Sequence, residues 1–220
     1  GLDVRALGSI EPSLEALSGV DLQLHGNFTT RVGLDGRIAP TRFDMTGGPG
    51  QINMADQFDE PVPVQRISLS GRIDAGGDRL WIDSAVADLG GPQVAGRLSL
   101  SGLISGRTPK TGVLAVAGSL STGNIDVAAL GRYWPKEAGR DARSWVIENI
   151  TAGVVHSARM EFELRVLGDA EAVAVDRLEG DFDASETVVH YLKPLPPIEN
   201  AAGHASFTDK EFGVDFTQGG

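Results

Sequence analysis

Apolar and polar side chains alternate with period two along most of this chain, the pattern of strands with one dry face and one wet face. Val20, Leu22 and Leu24 alternate with Asp21, Gln23 and His25. Phe28, Val32 and Leu34 share one parity, with Thr30 between them, and Ile67, Leu69 and Ile73 follow with Gly71 in phase. Leu80 and Ile82 lead to Val86. Val94, Leu98 and Leu100 share a face with Gly96, and Leu114, Val116 and Leu120 share one with Gly118. The longest series is Val154, His156, Ala158, Met160, Phe162, Leu164 and Val166, all even, separated by Ser157, Arg159, Glu161, Glu163 and Arg165. It predicts a strand of about 13 residues, against a usual ~5–6.

Turn signals punctuate these runs at Asp35-Gly36, Gly47-Gly48-Pro49-Gly50, Gly76-Gly77-Asp78 and Gly90-Gly91-Pro92. Such short connections predict an antiparallel meander, because parallel strands need long crossovers. Leu-x-Gly recurs at Leu24–Gly26, Leu69–Gly71, Leu100–Gly102 and Leu178–Gly180. It is either a chance recurrence in a Gly-rich strand protein or the mark of an extended structure that grows by adding hairpins. The alternation lapses between 126 and 150. There Asp126 is placed to cap a short turn Val127–Leu130, and Asp141 to cap a helix through about Asn149, with Gly153 as its stop. Ala142, Trp145, Val146 and Ile150 fall on one face of that helix, which predicts packing on the sheet with Trp134 and Trp145 as anchors, either plugging the apolar side or padding one end.

The expectation is therefore an all-β fold, an elongated, curved antiparallel sheet with an apolar concave groove, plus one or two short helices near 126–150. The 220 residues divide as a Gly-rich meander (1–125), a helical insertion (126–150) and further strands (151–220), read as one continuous unit.

Composition refines this picture. Glycine is 29 of 220 residues without a three-residue period, and the hydrophobic fraction is 41% with only 6% aromatic, so the dry surface is mostly aliphatic. A net charge of −11 argues against a nucleic-acid partner. No polybasic stretch addresses an anionic membrane, and apolar runs such as Val113–Ala117 are far too short to span one. The chain starts at Gly1 rather than Met and its C-terminal end follows directly on a strand pattern, so it is expected to be a piece of a longer protein, in which a membrane anchor lies elsewhere. The absence of cysteine is compatible with either redox compartment.

Chemistry is sparse. His25, His156, His190 and His204 form no HExxH pair, and without cysteine a structural zinc site is not expected. There is no nucleophile elbow, Walker loop or dinucleotide fingerprint. Asp176, Glu179, Asp181, Asp183 and Glu186 cluster, but Asp181 and Asp183 alternate with Phe182 and Ala184 and so belong to the wet face of a strand. Pro194, Pro196 and Pro197 end a strand rather than offer a polyproline ligand. No metal, cofactor or enzymatic activity is expected.

Leu130-Gly131-Arg132-Tyr133-Trp134-Pro135, Arg143-Ser144-Trp145-Val146 and Gly153-Val154-Val155 form one series of recognisable positions. Gly180-Asp181-Phe182, His190-Tyr191-Leu192, Leu195-Pro196-Pro197-Ile198, Gly203 and Phe207 form a second. Together they resemble the AsmA-like family of Gram-negative bacteria, in particular its large YhdP-type members, over roughly residues 120–220. The resemblance implies a bridge-like lipid transfer protein: periplasmic, anchored in the inner membrane through a segment absent from this chain, and carrying phospholipid acyl chains in an apolar groove toward the outer membrane. Its partners would be phospholipid, or another acyl lipid, and membrane components reached through regions outside the chain.

On that reading the groove is lined by Val154, Ala158, Met160, Phe162, Leu164 and Val166 of the long strand, and by Leu69, Leu98, Leu100, Leu114 and Val116 of earlier ones. Alternation alone equally fits a structural or adhesive β-sandwich in the periplasm or outside the cell, whose apolar face is closed by a second sheet. An enzyme acting on envelope polymers is the third and least supported reading. What lies over Met160, Phe162 and Leu164 separates the first two.

Overall fold

The computed structural model describes residues 1–8, 17–105, 112–136, 138–167, 173–192 and 194–218; the final Gly219-Gly220 lie outside them. The chain is mostly strand (61%) with a few short helices, and its main sheet is open rather than closed into a barrel. In chain order the elements begin with β1 (Leu2–Asp3), α1 (Val4–Gly8), β2 (Val20–Asp21), β3 (Gln23–Thr29), β4 (Thr41–Gly47), β5 (Gly50–Ile52) and β6 (Val62–Val64). They continue with β7 (Arg66–Ile73), β8 (Arg79–Asp88), β9 (Gln93–Ser101), β10 (Val113–Gly123) and β11 (Ile125–Asp126). A 3-10 turn (Val127–Ala129), α2 (Leu130–Tyr133) and α3 (Arg140–Asn149) precede β12 (Ile150–Leu167), β13 (Val173–Val189), β14 (Ile198–Thr208) and β15 (Phe212–Gln218).

The main sheet has 12 strands in the order β1-β3-β4-β7-β8-β9-β10-β12-β13-β14-β15, with β11 on the flank of β12. Each of its pairs is antiparallel, as the short turns require. The strands it skips, β2, β5 and β6, form a separate three-stranded sheet. The alternation pattern did not foretell this second sheet, because strands of two or three residues are too short to show a period.

Two buried cores hold the fold. In one, Leu22, Val62 and Val64 of the small-sheet region close over Leu24, Phe43 and Met45 of the main sheet, with Val4 and Leu89. In the other, Ile125 and Val127 pack on Val155. Tyr133 touches both, so the small sheet and the helical segment form one wall. That segment starts as expected: the Asp126 carboxylate accepts from the Ala128 N–H at 2.9 Å. Helix α3 differs at its ends. Gly139, in the left-handed region at φ 62, is its N-cap, Asp141 sits within the first turn, and the chain passes straight into β12 at Ile150. Gly153 is therefore a strand residue, at φ 120, where a side chain would meet Thr187. The buried residue of α3 is Val146, whereas Trp145 stays 39% exposed beside Phe212, ring centroids 6.4 Å apart.

The helical wall is strapped to the 53–61 loop. Arg143 donates to Asp59 at 2.5 Å and also to the carbonyls of Gly131 and Trp134. Lys136 reaches Asp59 at 3.3 Å and the Ala55 carbonyl at 2.9 Å, and Arg132 pairs with Glu60 at 2.6 Å. Arg143, and after it Lys136, holds the Asp59 carboxyl below the usual carboxylate range. The strap's contribution is thus complete above the unfolded-state pKa of ~3.9 and is lost as pH falls through the lower folded value. Calorimetry at stepped pH should find Asp59→Asn less thermostable than the parent near neutrality, by a few degrees, with the gap closing below about pH 4. A gap that stays constant with pH would contradict this electrostatic account.

Candidate functional site

Residues directly opposite one another in an antiparallel ladder present their side chains to the same face. Following the register from strand to strand therefore gives the composition of each face. One row runs Phe28, Phe43, Gly71, Ile82, Leu98, Gly118, Phe162, Leu178. The next runs Gly26, Met45, Leu69, Ala85, Gly96, Leu120, Met160, Gly180, Phe207, Phe212. A third, nearest the wall, runs Leu24, Gly47, Ile67, Ala87, Val94, Thr122, Ala158, Phe182, Ala205, Val214. On the far side lie Ile73, Leu80, Leu100, Val116, Leu164, Val175, and then Leu114, Val166, Val173. The polar side chains in these rows are Thr122 and, opposite Ile73, Thr41.

The opposite face is polar. Its rows include His25, Thr46, Ser68 at one end and Ser121, Arg159, Asp181, Ser206 at the other. Ion pairs lace it: Arg165 with Asp176 at 2.5 Å, Arg159 with Asp181 at 3.8 Å, and Arg177 with Glu179. Trp81 also lies there, under the Arg72 guanidinium at 4.8 Å. Asp181, Asp183 and His204 bring metal-ligand atoms within 4.8 Å of one another. They are already engaged. His204 and Ser157 each hydrogen-bond Asp183 at 2.9 Å, and together they hold its carboxyl below the usual range, His204 most.

Glycine on the apolar face makes room for its neighbours. A Cβ on Gly118 would stand 2.8 Å from the Phe162 ring, and one on Gly71 2.6 Å from the Phe43 ring. The Phe162 and Phe43 rings therefore occupy the space a side chain on these glycines would need. This accounts for three of the four Leu-x-Gly occurrences: Gly26, Gly71 and Gly180 share the apolar face with their leucines and sit where a cross-strand neighbour is large, whereas Gly102 follows β9 at φ 92.

The sheet places the expected lining residues as follows. Leu69, Leu98, Leu100, Leu114, Val116, Ala158, Met160, Phe162, Leu164 and Val166 all lie on the apolar face, and all are half-buried. Val154 does not. A β-bulge at His156 inserts one residue into β12, so that Val155 faces Ala184 on the apolar side while Val154 is opposite Ser185. Val155 is the buried one, at 3% exposure, and His156 bonds Ser185 on the polar side at 2.6 Å. A bulge at Asp83 in β8 likewise turns Ala85 and Ala87 inward and Val86 outward, contrary to the parity of Leu80 and Ile82. Val173 and Val175 join the apolar face although their parity is odd, because a third bulge at Asp176 shifts β13.

The wall covers only one margin of this face. Neither buried core includes Leu98, Leu100, Val116, Met160, Phe162 or Leu164 or packs them against itself. Leu120 is 40% exposed, Val175 48% and Val173 58%. The wall does cover Phe43 and Met45, and Ile73, Leu80 and Ile82 pack against that core, but among the described residues neither core extends over the rows from Leu98 to Leu164. At the far end, α3 leans over the last strands, and Trp145, Phe182, Val189, Phe212, Val214 and Phe216 line an open apolar cleft. No described helix is long and apolar enough to cross a membrane.

Comparison of the chain with protein-family models, with curated proteins and with solved structures gave no match.

Proposed function

We propose that this chain is a segment of a bridge-like lipid transfer protein, and that its apolar face carries phospholipid acyl chains between the inner and outer membranes of a Gram-negative envelope. The observation that carries the reading is the uncovered central face: continuous aliphatic rows across the sheet, half-exposed, with a wall along one margin only. A strand path of eleven members at ~4.8 Å spacing gives a face on the order of 50 Å across. An acyl chain is about half of a ~30 Å bilayer core, so several fit along it. Each methylene taken out of water there contributes ~0.8 kcal/mol. Headgroups would stay at the open margin, and neither a catalytic group nor a cofactor is needed. The resemblance of residues 120–220 to the AsmA-like family points the same way, and with it comes the proposed periplasmic setting and inner-membrane anchor.

The alternative, a structural or adhesive β-sandwich, draws support from the small sheet, which does close a two-layer core over Leu24, Phe43 and Met45. Among the described residues it leaves the rows from Leu98 to Leu178 without a cover. Organic extraction and native mass spectrometry of the purified protein test the choice. Co-purifying phospholipid at about one or more per chain is expected; a lipid-free protein that keeps its fold would overturn the conduit reading.

A further inference from the structure

Exposed apolar residues also lie beyond the rim of the sheet, past Thr30 and Thr41. Beyond Thr29 the strand continues into a hairpin arm, residues 30–40, before β4 begins at Thr41. The arm is a built structure. Val32 and Ile38 form a bridge, Ala39 N–H donates to the Arg31 carbonyl at 2.8 Å, and Gly33 N–H donates to Arg37 at 2.7 Å. The tip turns at Gly36, whose φ of 77 favours glycine. Val32 and Ile38, paired across the arm, share one side of it, beyond Thr30 and Thr41 and after a one-residue shift in pairing from Thr29 opposite Arg42.

These side chains are unusually bare. Leu34 at the tip is fully exposed, Val32 is 65% exposed and Ile38 52%. A turn tip ordinarily carries Gly, Asn, Asp or Ser, and Asp35-Gly36 already meets that need here. Nothing in the turn geometry calls for Leu34. Arg31 and Arg37 stand on either side of this aliphatic tip, and Asp35 beside it pairs with Arg37 at 3.5 Å, so the arm keeps a net positive charge in a chain whose overall charge is −11. An aliphatic tip on an arm of net positive charge fits the interfacial zone of an anionic bilayer: the leucine enters the acyl boundary and the guanidinium groups stay at headgroup level. A protein partner fits less well, since a two-stranded arm offers far less than the ~800 Å² per side of a stable interface.

We propose that the 30–40 arm inserts its tip into an anionic lipid surface and forms the ramp by which acyl chains reach the apolar face. This rests on the lipid-binding reading of that face, and the test separates the two. The chain has no cysteine, so Leu34→Cys gives one attachment point for an environment-sensitive fluorophore. With vesicles of phosphatidylglycerol and phosphatidylethanolamine, the label at position 34 should shift to the blue and brighten several-fold. The same label at Lys210→Cys, on the β14–β15 turn of the same rim, should not. Unlabelled Leu34→Asp should lose at least tenfold in vesicle co-sedimentation yet bind a monomeric fluorescent fatty acid as the parent does. A water-like signal at position 34, undiminished sedimentation of Leu34→Asp, or a blue shift that appears with protein concentration and without vesicles would each overturn the arm's role. A parent that binds no fatty acid would remove the reading of the face, and the ramp with it, even if the tip still enters vesicles.

Discussion

Phe162→Glu is expected to strip the protein of phospholipid while leaving the sheet folded. Phe162 sits mid-face between Gly118 and Leu178, half-exposed, and among the described residues it packs against neither buried core. In the lipid-free protein a carboxylate there keeps most of its water, so the fold loses chiefly the packing of the ring over Gly118. With an acyl chain laid across the row, the same carboxylate must be dehydrated without a partner. A cost of about 3 kcal/mol, at the low end for such burial, weakens retention roughly 100-fold. Leu164→Asp, one row further out, should act alike, whereas Phe162→Leu should retain lipid. Phospholipid phosphorus per mole of protein after gel filtration reads the effect. Equal retention by Phe162→Glu and the parent would remove this row from the lipid path.

The second large effect is a contrast between adjacent positions. Val155→Asn should destabilise the fold by about 3 kcal/mol, because the amide would be buried among Ile125 and Val127 with no partner. Val154→Asn, opposite Ser185 on the polar side, should cost less than about 1 kcal/mol. Urea unfolding of both variants measures the difference. Equal losses, or a greater loss at 154, would mean that the bulge at His156 does not set the face of this strand.

That contrast also marks where sequence reasoning succeeds and fails. Uninterrupted alternation was sufficient for the strands from Leu114 to Val116 and from Ala158 to Val166, because a period of two leaves each side chain only one face. Extra residues at His156, Asp83 and Asp176 invert the parity beyond them. None carries a glycine or proline that would announce a bulge. The aromatic positions of the face, Phe43, Phe207 and Phe212, were missed for another reason: their neighbours in the row come from other strands. Helix α3 was legible from the spacing of Trp145 and Val146, but Trp145, the larger residue, turned out to border the open cleft while Val146 fills the core. Whether a dry face is covered depends on what lies opposite, which the period of a strand does not encode.

The order of strands has one further consequence. Neighbours in the main sheet are neighbours in sequence, apart from the short excursions that build the wall. A duplicated hairpin could enter this meander between two existing ones without crossing any connection or changing the parity of the strands around it. Each such addition would lengthen the sheet by about 10 Å and bring its own apolar side into line with the rest. The reach of such a protein would then be adjustable in units of two strands, independently of the chemistry of its surface.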